Sequence, residues 1–141
     1  MRRPFLCRRP EMEHDTLINP IPQGFTCHSC GKCCTSSWKV RVSRKRAQHL
    51  KSTRAYRRLE SRGYRPILVQ QQDAELGKTR HGDCLFLEDN RCTIHTDQGA
   101  FAKPAVCQLY PLSLARTPDG YYLSLTFSCP SVVMGGGQPL E

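Results

Sequence analysis

Four thiols stand within eight residues at Cys27-His28-Ser29-Cys30-Gly31-Lys32-Cys33-Cys34. No apolar strand or helix needs sulfur at that density, so the stretch reads first as a ligand loop. Steps of Cys-x2-Cys set two sulfurs at the separation that one tetrahedral metal, or one face of an iron–sulfur cluster, accepts. Gly31 permits the tight turn that lets neighbouring sulfurs converge. Cys33 and Cys34 are adjacent, and adjacent side chains of an extended stretch point to opposite sides. That pair is therefore expected to serve different partners.

Four more cysteines return late, at Cys84, Cys92, Cys107 and Cys129, whereas the long middle from Trp38 to Asp83 holds none. An early knot and a later set must meet in space if they share a centre. The expected ligand set is all eight: Cys27, Cys30, Cys33, Cys34, Cys84, Cys92, Cys107 and Cys129. A compact run of three thiolates plus a distant Cys-Pro is one way of holding a [4Fe–4S] cluster. On that template Cys27, Cys30, Cys33 and Cys129 are the ligands, Cys34 has no place, and Cys84, Cys92 and Cys107 need a second centre. Two tetrahedral zinc sites use all eight, and thiolate softness alone does not choose between zinc and iron.

His28, His81 and His95 each lie near a cysteine and are candidates to replace a thiolate. His28 and His81 are expected to be surface or turn histidines, with His95 balanced between the two roles. Nucleophilic catalysis needs one activated thiolate beside a base, and the signal here is eight clustered ones. No catalytic residue is assigned. The chain also lacks the GxGxxG and P-loop patterns that cradle phosphates.

The elements that must position these thiols are modest. A length of 141 residues fits one domain. With 38% hydrophobic residues and a mean hydropathy of -0.53, its core gains usefully from a staple. Whether nine cysteines supply metal ligands or disulfides depends on compartment. Met1 to Pro20 offers Arg2 and Arg3 but no apolar run of the length a signal peptide uses, and no stretch approaches the roughly 20 apolar residues of a membrane span. A cytoplasmic, metal-binding protein is the expectation. Its basicity is local: Lys39 to Arg65 carries eleven Lys and Arg against the single acid Glu60. A solvated helix face explains that run, and an acidic partner, a protein substrate or a nucleic acid would also fit it.

Met1 to Gln23 reads as a loose arm containing the isolated Cys7, which is left out of the site. Residues 24–133 form the cysteine-cluster domain, and 134–141 an unstructured tail or the start of a further region. Trp38, Val40 and Val42 alternate with Lys39 and Arg41 as in a short strand. Ser43 caps one basic helix from Arg44 to about Arg62, stopped by Gly63. Pro66 to Gln72 suggests another strand, and Gln70 to Arg80 a loop or ragged helix. Cys84–Leu87 and Cys92–His95 form a hairpin about Asp89-Asn90. Leu112–Ala115 and Tyr121–Phe127 form another about Thr117-Pro118-Asp119-Gly120, with Leu123, Leu125 and Phe127 on its apolar side. No element is expected after Cys129-Pro130. The fold class is α+β: a small metal-stapled domain with one basic helix and short antiparallel hairpins.

At these residues the sequence resembles the YkgJ-like cysteine-cluster family of zinc- or iron-chelating domains. The resemblance rests on Phe25-Thr26-Cys27-His28-Ser29-Cys30-Gly31-Lys32-Cys33-Cys34, on Gly82–Leu87, on Asn90–His95 and on Lys103–Pro111, in that order. It implies metal binding and no particular reaction. Trp38 and the Ser124-Leu125-Thr126-Phe127-Ser128-Cys129-Pro130 segment are further similar to flagellin lysine N-methylases within that family. That likeness implies a protein-lysine methylase activity as the enzymatic alternative, although no segment is assigned to a methyl donor.

Overall fold

None of the elements exceeds eight residues, as expected of a chain whose apolar runs are short and broken by Gly, Pro and Cys. The computed structural model describes residues 16–71 and 73–140, so Cys7 lies outside the described part. In chain order come β1 (Leu17–Ile18), a 3-10 turn (Lys32–Cys34), β2 (Arg41–Val42), α1 (Arg44–Lys51), α2 (Arg54–Ser61), β3 (Ile67–Val69) and β4 (Ala74–Leu76). There follow β5 (Leu87–Glu88), β6 (Arg91–Cys92), α3 (Thr93–Gln98), a 3-10 turn (Ala100–Ala102), α4 (Ala105–Leu109), β7 (Leu112–Thr117), β8 (Gly120–Leu125) and α5 (Pro130–Met134). Helices and small sheets mix without repeating β-α-β units, which is the α+β class.

Three sheets divide the strands, in the orders β2-β4-β3, β5-β6 and β1-β8-β7. The first is antiparallel, with Val42 opposite Ala74 and Ile67 opposite Leu76. Strand β4 falls in the segment expected to be loop or ragged helix. Its three residues are too few to show a period, yet Ala74 and Leu76 both face the core and are buried. In the last sheet β1 runs parallel to β8, which draws the expected loose arm into the fold from Leu17 onward.

The single basic helix is instead two. The backbone leaves the helical region at Thr53, whose φ of -77° and ψ of 154° are extended, and its hydroxyl accepts from the Tyr56 amide to start α2. A Ser or Thr side chain offers the backbone this alternative to continuing a helix. Arg58 of α2 and Arg62, the residue just past its end, both pair with Glu88 of β5 and dock the helix on that hairpin.

The Asp89-Asn90 hairpin forms as expected, with both loop residues at positive φ (50° and 60°) and Glu88 opposite Arg91. Its second arm differs: Thr93 to His95 is helical, because Cys92 serves as the extended residue that opens α3. The later hairpin also forms, with Leu112 opposite Leu125 and Thr117 opposite Gly120. Its expected apolar side is not a core face, since Phe127 is 73% exposed and Leu123 and Leu125 are only half-buried. Beyond Cys129, α5 replaces the absence of structure that was expected. Gln138 then accepts from the Phe25 amide at 2.7 Å, tying the far end of the described chain beside the knot.

The core gathers α1, α2, the β2-β4-β3 sheet and α3 around Leu50, Phe86 and Ile94, all essentially inaccessible. Cys34 and Cys84 belong to that same cluster. The metal-ligand candidates therefore begin at the edge of the hydrophobic core.

Candidate metal centre

Gly31 starts the knot. Its φ of 71° is left-handed, and a Cβ there would come within 2.6 Å of the Asn90 carbonyl oxygen. Glycine is thus required twice, for backbone conformation and for the close approach of the knot to the β5–β6 turn. The chain then winds into the 3-10 turn, closed by Cys34 N–H donating to Gly31 O at 2.9 Å. In a helical turn successive side chains diverge by far less than across a strand. Cys33 and Cys34 consequently make side-chain contact with each other, which corrects the expectation that they point apart. The Cys84 amide donates to Cys34 O at 2.7 Å and ties the late set to the early one.

Short elements deliver three of the later thiols. Cys92 closes β6 and opens α3, Cys107 sits within α4, and Cys129 is the residue before α5. Two side chains brace the arrangement. The Trp38 indole donates to Cys33 O at 3.1 Å and packs edge-on against Tyr110, ring centres 5.4 Å apart. Tyr110 in turn shares a hydrogen bond with Ser128, next to Cys129. On the other side Ser131, which is buried, accepts from the His28 amide at 3.1 Å and meets His28 Nδ1 at 3.0 Å.

All eight candidate cysteines line one chamber of about 740 Å³, together with His28, His95, Tyr110 and Lys103 among others. His81 is not among its walls; it is exposed and accepts from Arg80 Nε at 3.1 Å. None of the eight is in a disulfide. Among the described residues, no three or more His, Cys, Asp or Glu side chains close into a ready cage; the sulfurs line walls.

Their acidities separate into two groups. Cys34 touches both Cys33 and Cys92, and its S–H donates toward them; that sharing holds Cys33 and Cys92 down at about 6 and pushes Cys34 itself up. The Ile94 and His95 amides at the start of α3 also face Cys92 and favour its thiolate. Burial pushes Cys84 up to about 11 and Cys107 up to about 12. The first pair therefore favours the thiolate and the second the neutral thiol, so a cation binding at the deeper sulfurs would have to displace their protons. The donor set fits a soft, thiophilic metal, since eight cysteines line the chamber and, among the described residues, no carboxylate does.

Residues 26–130 match the model of the CxxCxxCC family, described as "Putative zinc- or iron-chelating domain". The chain belongs to this family. The match runs from the residue before the first knot cysteine to the residue after Cys129, so it takes in all eight chamber cysteines. Among curated proteins and among solved structures, nothing matches the chain. No helix among the described residues is long and apolar enough to cross a membrane.

Sequence reading found the thiols but missed their braces. Trp38 reads as part of a strand and, like Ser128, through the resemblance; Tyr110 enters only as one residue of the Lys103–Pro111 motif, and Ser131 not at all, because a single aromatic or hydroxyl carries no spacing signal. Lys78, whose charge favours the Cys84 thiolate, is equally invisible, and Lys103, whose charge favours those of Cys33, Cys92 and Cys107, opens a motif of the resemblance without a role of its own.

Proposed function

We propose that this CxxCxxCC domain binds iron through its eight thiols as an iron–sulfur centre with a redox role. One observation carries the reading: the early knot and the late cysteines line a single shared chamber of about 740 Å³. One tetrahedral zinc needs four sulfurs only about 3.8 Å apart, from a Zn–S bond of about 2.3 Å. A chamber of this volume suits a centre of several metal atoms. Access supports the redox role, for Cys27 and Cys30 are exposed while Cys34, Cys84 and Cys129 are buried. Structural zinc sites are closed, and reactive centres keep an approach from solvent. Cys27, Cys30, Cys33 and Cys129 match the compact-run-plus-remote-cysteine pattern and would hold the cluster. Cys34, Cys84, Cys92 and Cys107 would supply its inner wall or a second site.

The alternative of lysine methylation gains nothing from the residues that raised it. Trp38 and Ser128 brace Cys33 and Tyr110, a task that any occupant of the chamber would require.

The test is anaerobic purification followed by an absorption spectrum and measurement of iron, zinc and acid-labile sulfide. A brown protein with iron and sulfide is expected. Two zinc ions per chain, with neither iron nor sulfide, would replace this reading with a pair of structural thiolate sites.

A further inference from the structure

The chamber walls carry an imbalance of charge that the thiols do not exhaust. Lys32, Lys78, Arg91 and Lys103 all line it, and among the described residues no Asp or Glu does. These four cations fall into two classes. Lys78 and Lys103 are half-buried, and each favours the thiolate form of neighbouring cysteines, Lys78 at Cys84 and Lys103 at Cys33, Cys92 and Cys107. Lys78 is fixed in addition by donating from Nζ to Ser36 O at 2.8 Å. Their charge is committed to sulfur.

Lys32 and Arg91 are different. Both line the chamber and are exposed, and neither is among the leading causes of the shifted acidity of the chamber thiols. Among the described residues neither forms an ion pair; Glu88, the cross-strand neighbour of Arg91, is taken by Arg58 and Arg62 instead. Gly31 and Asn90 approach closely enough that a Cβ on the glycine would meet the Asn90 carbonyl oxygen at 2.6 Å, so Lys32 and Arg91, each the next residue in the chain, start from neighbouring stretches of backbone and line the same chamber. A volume of about 740 Å³ also lies within the roughly 300–1,000 Å³ of small-molecule sites.

We infer that the chamber admits a small anion bearing a carboxylate or phosphate group, gripped at the mouth by Lys32 and Arg91 and delivered to the face of the metal centre. Guanidinium forks match both groups in a bidentate way, and a lysine beside one adds charge without fixing geometry. The ligand class is thus an oxyanion-bearing metabolite small enough to pass the rim. This assignment rests on the reading of the chamber as a metal centre for what the anion meets inside, while the grip itself belongs to the two side chains.

The experiment is isothermal calorimetry on the anaerobically purified chain, titrated in turn with inorganic phosphate, malonate and chloride at constant ionic strength. Fluorescence of Trp38, the chain's single tryptophan and a neighbour of the chamber wall at Tyr110, provides the second readout. Saturable binding of phosphate or malonate, but not chloride, is expected. Lys32→Gln and Arg91→Gln should each weaken it by about tenfold, with metal content and melting unchanged because both residues are exposed. Absence of saturable binding by either anion, or equal affinity in the double variant, would overturn the inference. Metal analysis of the same sample reports on the other reading: a metal-free protein that still binds phosphate through these two residues would sink the metal centre and keep the anion site.

Discussion

The proton of Cys34 is the hinge of the site's acid–base behaviour. Its S–H serves both Cys33 and Cys92, and that service holds the two at about 6 against an ordinary thiol value of 9.0. Cys34→Ala removes the donor and should return both toward the ordinary range. In reduced, metal-free protein, the pH of half-maximal iodoacetamide labelling at Cys33 and Cys92, followed by peptide mass spectrometry, should rise accordingly; an unmoved profile would show that Cys34 is not the cause. The same shifts set a stability profile. A lowered folded value contributes stability that is present above the ordinary thiol value and lost as pH falls through about 6. Cys84 and Cys107, raised to about 11 and about 12, contribute stability that is present below the ordinary value and lost as pH rises toward those values. The metal-free protein should therefore gain stability from pH 6 to about 9 and lose it above. Urea midpoints measured between pH 5 and 11 check this, and a midpoint that falls between 6 and 9 contradicts it.

At the scale of the element, the break between α1 and α2 rests on one residue. Thr53 is 6% exposed; its hydroxyl donates to Leu50 O at 2.6 Å and accepts from the Tyr56 amide at 3.3 Å. Thr53→Ala leaves two buried backbone groups without that partner and should cost about 1–2 kcal/mol. Ser52→Ala, at an exposed neighbour that bonds only the His49 carbonyl, should cost under about 0.5 kcal/mol. Equal urea midpoints for the two variants would mean that the cap is not what ends α1. Gly31→Ala tests the clasp in the same way, because it meets both the left-handed backbone and the Asn90 carbonyl. A loss of about 1–3 kcal/mol is expected, with reduced metal content. These two residues also mark what could be read from sequence. Gly31 between cysteines signalled a tight turn, and the eight thiols signalled the site, since density and spacing are one-dimensional properties. The cap at Thr53 followed the same rule as Ser43 but lay inside a continuous basic run, where composition suggested one helix. Strand β4, the parallel partner β1 and the helical start of α3 depend on contacts with distant segments. The cations Lys32, Lys78, Arg91 and Lys103 share a wall only after folding, and no spacing joins them.

Across the whole molecule, the chamber cysteines come from segments that share little apolar packing. Isolated helices of five to eight residues and single hairpins are marginal in water, so each needs packing or a ligand. The half built from α1, α2 and the β2-β4-β3 sheet has packing, since most of the buried cluster lies there. Cys107 and Cys129 belong to a different half. In it α4 has no buried residue, the β7–β8 hairpin leaves Leu114 54% exposed, and Phe127 just beyond it is 73% exposed. Bound metal contributes directly to folding free energy where the ligands come from separate segments. Its removal should therefore be uneven. Under reducing conditions with a strong chelator, amide exchange should accelerate by about a hundredfold or more across residues 27–34 and 105–131, an opening worth about 2.7 kcal/mol. Val42, Leu50 and Leu76 should stay protected, because apolar burial rather than sulfur secures them. Cys33→Ser and Cys129→Ser should reproduce the pattern in part without chelator, whereas Cys34→Ser should also loosen the core that Cys34 helps to fill. Uniform acceleration through both halves would mean that metal and core form one cooperative unit, and protection unchanged in both would mean that the thiols hold nothing the fold needs.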